Sequence, residues 1–117
     1  MISTAKLKYL GVSPQKTRLV VDQIRGRSVD EALTTLRYSR KRVAKSLEKL
    51  LRSALANAQD KQADVDVDRL VLVRAIVNCA PSLKRARSAP MGRVLPVLKR
   101  ACHVTFDLDI PTKQKSA

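Results

Sequence analysis

Residues 70–108, LVLVRAIVNCAPSLKRARSAPMGRVLPVLKRACHVTFDL, decide the fold because two strand-like apolar runs flank a basic segment rich in turn residues. Leu70 to Val77 reads as a buried strand, and residues 98–108 alternate with the period of two that strands show. The connection between them spans about twenty residues, whereas compact hairpins use about two to five. Arg69 to Phe106 carries eight lysines and arginines and no acidic residue. The stretch therefore predicts a long basic β-hairpin that turns about Pro90-Met91 and projects from the body.

The alternation also predicts which strand side chains face the core. In the last strand the inward side chains are Leu98, Cys102, Val104, Phe106 and Leu108, and the outward ones are Lys99, Ala101, His103, Thr105 and Asp107. Near the start of the chain, Thr4 to Leu10 has the pattern of a short half-buried strand. Its buried face is predicted to carry Ala5, Leu7 and Tyr9, and its outer face Lys6 and Lys8.

Three amphipathic helices are predicted between the first strand and the hairpin. Ser13-Pro14 supplies a capping hydroxyl and a proline at the first helical position, and this helix stops at Gly26. Ser28 and Glu31 form a capping box that starts a short second helix. The three apolar stripes are Thr17, Val20, Val21 and Ile24; Val29, Ala32, Leu33 and Leu36; and Val43, Ala44, Leu47, Leu50, Leu51, Ala54, Leu55 and Ala58.

These elements predict an α+β fold in which three helices pack on one face of a small three-stranded antiparallel sheet, with a long protruding basic β-hairpin. The length and the 44% apolar content suit a single domain over residues 1–117. We expect a globular body at residues 1–78 and 98–110, an extended hairpin at about residues 79–97, and a short basic tail at residues 111–117.

The charge balance indicates a polyanionic partner. The chain has 24 lysines and arginines against 10 acidic residues, which gives a formal net charge of +14. Such a protein attracts phosphate before any specific contact forms, so nucleic acid is the expected partner. The sequence lacks the long apolar run of a membrane span and the apolar block of a secretory signal, and we expect a cytosolic protein.

The candidate phosphate contacts lie mainly in the hairpin, where arginine can offer a fork of donors to phosphate oxygens. They are Lys84, Arg85, Arg87, Arg93, Lys99 and Arg100. A second basic patch on the first helix consists of Lys16, Arg18 and Arg25, and a solvated helix face is the alternative there. Gly92 is expected to permit a positive φ or a close approach of RNA. His103 either hydrogen-bonds a phosphate or ribose or faces water.

Metal and cofactor sites are not predicted. Cys79 and Cys102, with His103 nearby, cannot complete a four-ligand zinc site, and reduced thiols are the cytosolic default. If the hairpin turns at Pro90-Met91, the two cysteines lie opposite each other, and a cross-strand redox pair is the alternative to two reduced thiols. Four aspartates fall between Asp60 and Asp68, but that segment lacks the glycine and closing glutamate of a calcium loop, and we interpret it as a solvated connection.

Three functional classes other than RNA binding in a fixed complex are compared with the sequence pattern. An enzyme is disfavoured because the chain has one histidine, no Gly-x-Ser-x-Gly elbow and no phosphate loop. A free nucleoid or RNA-chaperone module fits the composition equally well and predicts binding that is indifferent to sequence. A binder of anionic membranes would need a lipid-facing helix, whereas the stripes here are typical of a core.

Five blocks of sequence resemble the bacterial large-subunit ribosomal protein 22 family, over almost the full length from Thr4 to Leu108. They are Ser13-Pro14-Gln15-Lys16-Thr17-Arg18-Leu19-Val20, Ile24-Arg25-Gly26, Ala54-Leu55-Ala56-Asn57-Ala58, Pro81-Ser82-Leu83-Lys84-Arg85, and Gly92-Arg93 followed ten positions on by His103-Val104-Thr105. The blocks follow the family's order and spacing.

The resemblance implies a structural constituent of the large ribosomal subunit that binds 23S rRNA and assists early assembly. It implies a body near the exit of the peptide tunnel and a hairpin that lines the tunnel wall and influences macrolide action. The tip would then be Ser88, Ala89, Pro90, Met91, Gly92 and Arg93. Neighbouring large-subunit ribosomal proteins and the nascent peptide would be further partners, with no cofactor, membrane or small-molecule substrate.

The chain departs from the family pattern at three places. Ser88-Ala89-Pro90 stands where the family usually has Pro-Arg-Ala, so one tip arginine is absent. Asn78-Cys79-Ala80 replaces a glycine-containing segment, and Phe106 stands where a smaller aliphatic residue is common. These changes concern the tip contacts and the turn geometry.

Overall fold

The computed structural model describes residues 3–62, 64 and 66–110; the predicted basic tail at residues 111–117 lies outside them. In chain order the elements are β1 (Ser3–Leu10), α1 (Pro14–Ile24), α2 (Val29–Arg37), α3 (Val43–Lys61), β2 (Val71–Ser88) and β3 (Val94–Asp109). A single-turn 3₁₀ helix lies at Val67–Arg69, and a tight turn with positive φ at Met91 and Gly92 lies at Pro90–Gly92. The predicted α+β class, with helices on one face of a three-stranded antiparallel sheet and a long hairpin, is confirmed.

The sheet has the order β1-β3-β2, so the last strand of the chain lies in the middle. Phe106 of β3 pairs with Ala5 of β1 on one side and with Ala75 of β2 on the other. These three side chains are buried in the core cluster with residues from all three helices. The two alanines leave room for the phenyl ring. The inner part of β3 lies between two strands and under the helices, and its side chains Cys102, Val104, Phe106 and Leu108 are all fully buried.

The first two helices begin where their capping serines predict. The Ser13 hydroxyl accepts a hydrogen bond from the Lys16 amide at 3.4 Å, and the Ser28 hydroxyl accepts one from the Glu31 amide at 3.3 Å. After α1, Gly26 adopts a φ of +81°, and its amide donates to the Leu72 carbonyl at 2.9 Å. The predicted stripes are buried, except that Leu33 and Leu55 are half-buried.

Three strand side chains differ in exposure from what their alternation predicts. Tyr9 is 67% exposed, because the register of β1 on β3 shifts between Leu7 and Leu10 and the tyrosine takes a φ of 60°. Leu98 is exposed because it lies in the hairpin beyond the buried part of β3. Asp107 is only 3% exposed because it lies on the central strand, with Thr4 of β1 and Arg74 of β2 as its register partners on the two sides.

The hairpin strands are longer than their apolar runs. The strand predicted at Leu70–Val77 begins at Val71 and continues to Ser88. Its ladder with β3 reaches the Ser88–Val94 pair, with register shifts between Leu72 and Arg74 and between Ala80 and Leu83. Cys79 and Cys102 are register partners, as predicted from a turn near Pro90-Met91, and both thiols are free.

The acidic connection between α3 and β2 is exposed wherever the structure describes its aspartates, namely Asp60, Asp64, Asp66 and Asp68. The Asp66 carboxylate accepts a hydrogen bond from the Asp68 amide at 3.1 Å and so caps the short 3₁₀ turn. This arrangement agrees with the prediction of a solvated connection.

Candidate nucleic-acid interface

The outer part of the hairpin, Pro81 to Arg100, forms an arm in which every residue is exposed or half-exposed. Its backbone is held by the β2–β3 ladder, which pairs Leu83 with Lys99 and Ser88 with Val94. The molecule measures 65 × 27 × 25 Å along its principal axes, and a projecting arm accounts for such an elongated shape. The arm therefore offers both of its faces to a partner.

All six predicted cations of the arm are exposed. Four of them lie opposite aliphatic residues in the ladder: Lys84 faces Leu98, Arg85 faces Val97, Arg87 faces Leu95, and Lys99 faces Leu83. Because directly opposed residues share a face and successive residues alternate, Lys84 lies on one face of the arm and Arg85, Arg87 and Lys99 on the other. Among the described pairs, none places two cations directly opposite, which would cost electrostatic repulsion.

At the tip, the Ala89 amide donates to the Arg93 carbonyl at 2.8 Å and closes the turn. Gly92 has a φ of +72°, as predicted, and Met91 also lies in the left-handed region with a φ of 66°. Residues other than glycine, asparagine and aspartate rarely adopt the left-handed conformation, so the sequence did not predict it for Met91. The turn leaves the Met91 side chain 95% exposed at the end of the arm.

The two arginines of the helix-one patch bond to the outer edge of β2. Arg18 donates through Nη2 to the Val77 carbonyl at 3.0 Å. Arg25 donates to the Ala75 carbonyl through Nε at 3.1 Å and Nη2 at 2.9 Å, and its Nη1 pairs with Asp22 at 2.7 Å. Sequence reasoning missed this structural contact, because nothing in α1 indicates which strand edge lies beside it.

His103 is half-buried and bonds to β1 rather than lying free on the sheet. Its Nδ1 accepts a hydrogen bond from the Tyr9 amide at 3.0 Å, and the two rings meet edge to face with centroids 4.8 Å apart. This bond requires an unprotonated Nδ1, which leaves Nε2 as the nitrogen available to another partner. The contact also holds the left-handed Tyr9 in place.

An open groove of about 1010 Å³ lies at the base of the arm. Its apolar side chains include Tyr9, Leu19, Leu83 and Leu98, and its cations are Lys16, Lys41, Arg42, Lys99 and Arg100. Among the described residues that line it, none is acidic. Lys41 and Arg42 were not predicted as site residues, although they belong to the basic run at residues 37–42; only the fold brings that run to the arm.

No candidate metal site forms within the described ranges, residues 3–62, 64 and 66–110. There, no group of three or more His, Cys, Asp or Glu side chains is placed to hold a metal ion. In the same ranges, no helix combines the length and the apolar character that a membrane crossing needs.

The fold and this surface define a class: a small structural α+β protein that presents a basic arm and a cation-lined groove. The chain belongs to the family described as Ribosomal protein L22p/L17e, whose sequence model matches residues 5–109. The family consists of structural ribosomal proteins, so the expectation that the chain is not an enzyme is confirmed. Membership makes it a protein of the large ribosomal subunit, a component of cytoplasmic ribosomes, as the resemblance implied.

Relatives from several bacteria carry the description Large ribosomal subunit protein uL22. The chain is 51% identical over 102 residues to the one from Solibacter usitatus (strain Ellin6076), which covers 87% of this chain and 90% of that protein. It is 50% identical over 103 residues to the one from Desulfotalea psychrophila (strain LSv54 / DSM 12343), covering 87% and 92%. The protein from Geobacter metallireducens (strain ATCC 53774 / DSM 7210 / GS-15) is 49% identical over 108 residues, covering 92% and 97%.

Proposed function

We propose that the chain binds 23S rRNA as a structural constituent of the large subunit, assists early subunit assembly, and lines the peptide exit tunnel with its arm. The observation that carries the proposal is the arm itself, in which six exposed cations and no acidic residue extend along a ladder outside the core. Ordering such a segment costs about 1–2 kcal/mol of backbone entropy per residue, so it needs an external surface.

The proposed contacts are to the RNA backbone. Base edges of A-form helices lie in a deep, narrow groove, so a basic ribbon recognises phosphates, junctions and unstacked bases. The residues proposed to bind are Lys16, Arg18, Arg25, Lys84, Arg85, Arg87, Gly92, Arg93, Lys99, Arg100 and His103. Cations on both faces of the arm support contacts with RNA on two sides. Arg18 and Arg25 would bind phosphate through the guanidinium N–H groups that do not donate to the β2 carbonyls.

The tip, residues 88–93, is proposed to line the tunnel and to meet the nascent peptide. Support comes from its place at the far end of the arm and from the exposure of Met91. We also propose that residues 1–117 form one domain, with the body at residues 1–78 and 98–110 and the hairpin at about residues 79–97. The body would contact neighbouring large-subunit proteins.

The test is a competition between 23S rRNA and unrelated RNA of equal length for the purified protein, titrated from low to physiological salt. Counterion release weakens both complexes as salt rises, whereas specific contacts persist. A preference for 23S rRNA that survives at physiological salt is the expected result. Equal binding and joint release would instead indicate a free nucleoid or RNA-chaperone module.

A further inference from the structure

The groove at the base of the arm exposes apolar side chains to water. Covering them with a partner would be favourable because it removes apolar area from water. Tyr9 is 67% exposed, and Leu19, Leu83 and Leu98 are between 46% and 59% exposed. They come from β1, α1 and both strands of the arm, so the fold gathers them into one surface. Scattered exposed leucines need no explanation, but a contiguous apolar patch with a polar rim marks a binding site.

Tyr9 lines the groove, and its backbone has a φ of 60°. A side-chain-bearing residue in the left-handed region is strained, and such strain is maintained only where the surroundings hold it. Here the His103 imidazole holds it, through the 3.0 Å hydrogen bond from the Tyr9 amide and the edge-to-face ring contact. Regular alternation would have turned the ring toward the core; the register shift turns it into the groove instead.

The rim of the groove determines the chemistry of its occupant. Lys16 of α1, Lys41 and Arg42 before α3, and Lys99 and Arg100 of the arm line the same groove as the apolar side chains, and we call these cations its rim. An apolar protein segment would leave these five cations without partners. A nucleotide matches both features, since its base has flat apolar faces and its phosphates are anionic.

We propose that this groove receives an unstacked base of the large-subunit rRNA, with the ring of the base against Tyr9 and the leucines and the flanking phosphates at the rim. The inference rests on the proposed function and adds a base-recognition site to it. The arm then contributes mainly charge, and the groove contributes a contact that salt does not screen.

The two tyrosines of the chain, in the absence of tryptophan, provide the probe. Both are replaced with 3-fluorotyrosine, and the two ¹⁹F resonances are assigned with the variants Tyr9→Phe and Tyr38→Phe. Tyr38, at the C-terminal end of α2, is exposed and does not line the groove, so it serves as the matched control. One titrant is the 23S rRNA fragment that competes most strongly when fragments are tested in the same competition assay. The other is polyphosphate of equal charge.

With the RNA fragment we expect the Tyr9 resonance to shift through the ring current of the base while Tyr38 stays in place; polyphosphate should shift neither. Binding of the fragment without a greater shift at Tyr9 than at Tyr38 overturns the inference but leaves the proposed function intact, and the groove then faces protein or solvent. Failure of 23S rRNA to compete at physiological salt refutes the proposed function instead.

A second measurement uses the leucines of the groove. Leu19→Ser and Leu83→Ser should each weaken binding of the fragment about tenfold, a stacking-sized loss of about 1.4 kcal/mol, with the salt dependence unchanged. Val73→Ser, at an exposed aliphatic position of β2 outside the groove, is the matched control and should bind like the unmodified chain. Equal effects at all three positions would contradict a base in the groove.

Discussion

Arg18 and Arg25 cover the open edge of the sheet with their own side chains. β2 is an edge strand, and the carbonyls of Ala75 and Val77 point away from β3 to accept three hydrogen bonds from the two guanidinium groups. Unpaired edge carbonyls would otherwise offer a template for another strand. The basic face of α1 is therefore partly a structural device, which the charge pattern alone does not distinguish from an RNA-binding surface.

Arg25→Met keeps the aliphatic stem and removes the donors to Ala75. Hydrogen bonds to charged groups contribute about 1.5–3 kcal/mol, and solvent screens the half-exposed Arg25 side chain, so we expect the free energy of unfolding to fall by about 1–2 kcal/mol. Urea denaturation followed by circular dichroism measures it. Lys45→Met, at an exposed lysine of α3, is the control and should change stability little. A loss equal to that of the control would contradict the edge-covering role.

The two cysteines differ in accessibility although they are partners in the ladder. Cys79 is exposed, whereas Cys102 is 0% exposed and lies 3.5 Å from the Thr17 hydroxyl. Burial should protect the Cys102 thiol from reagents in solution. We expect one thiol to react rapidly with Ellman's reagent in the native protein and two after unfolding in guanidinium. In Cys79→Ser, the rapid reaction should disappear.

Rapid modification of Cys102 in native Cys79→Ser would show that this end of the ladder opens readily in solution. Equal rates for both thiols in the unmodified chain would lead to the same conclusion.

At the scale of the element, the arm is a two-stranded ribbon whose residues disfavour pairing of its exposed edges with strands of other chains. Lysines, arginines and prolines discourage edge-to-edge association, and Pro81 and Pro96 lie in the arm together with its six cations. Pairing a cation with an aliphatic residue avoids repulsion and lets the long stems lie along apolar surface. The ribbon stays in register without a core, which suits a segment that extends away from the body.

Deletion of Lys84–Leu95 should leave the body folded. None of the deleted residues belongs to the buried core, and Leu83 and Lys99, already partners, would be joined by a short turn. We expect cooperative thermal unfolding with a midpoint within a few degrees of the full chain. Binding of 23S rRNA should persist in weakened form. Loss of a cooperative transition would refute the separation of arm and body.

At the scale of the whole molecule, stability and charge are located in different places. The core is assembled from residues up to Val77 and from Cys102 onward, together with the three helices, while the arm contributes six cations and no buried apolar cluster. Self-repulsion from a net charge of +14 acts against the compact state, and an extended arm moves part of that charge away from the body. Binding and folding can therefore be altered separately.

The salt dependence of RNA binding should report this separation. The deletion of Lys84–Leu95 removes four cations, and each neutralised phosphate contributes roughly 0.7–0.9 to the slope of log K against log salt. If all four contact phosphates, the slope should decrease in magnitude by about 3. Fluorescence anisotropy with labelled 23S rRNA fragments at several salt concentrations measures it. An unchanged slope would mean that the arm cations do not contact phosphate.

Local patterns determined the helices, the strands and the long hairpin. Ser13-Pro14 and Ser28 predict helix starts because capping depends on residues within one turn, and the helical stripes were predicted correctly for the same reason. The basic, coreless connection at residues 81–100 predicted an exposed arm, because charge and the lack of apolar residues are properties of the segment itself. The family resemblance, carried by blocks along the whole chain, also needed only the sequence.

Tertiary structure decided what depends on neighbours in space. The period of one strand does not say which strand is central, so the burial of Asp107 between β1 and β2 could not be predicted. The register shift that exposes Tyr9 depends on how β1 pairs with β3 and has no signal in the alternation of β1. The same holds for the arginine contacts on the edge of β2 and for the meeting of residues 41–42 with the arm. These contacts join residues that are distant in the chain, and the packing that selects them minimises exposed apolar area over the whole molecule rather than within any one segment.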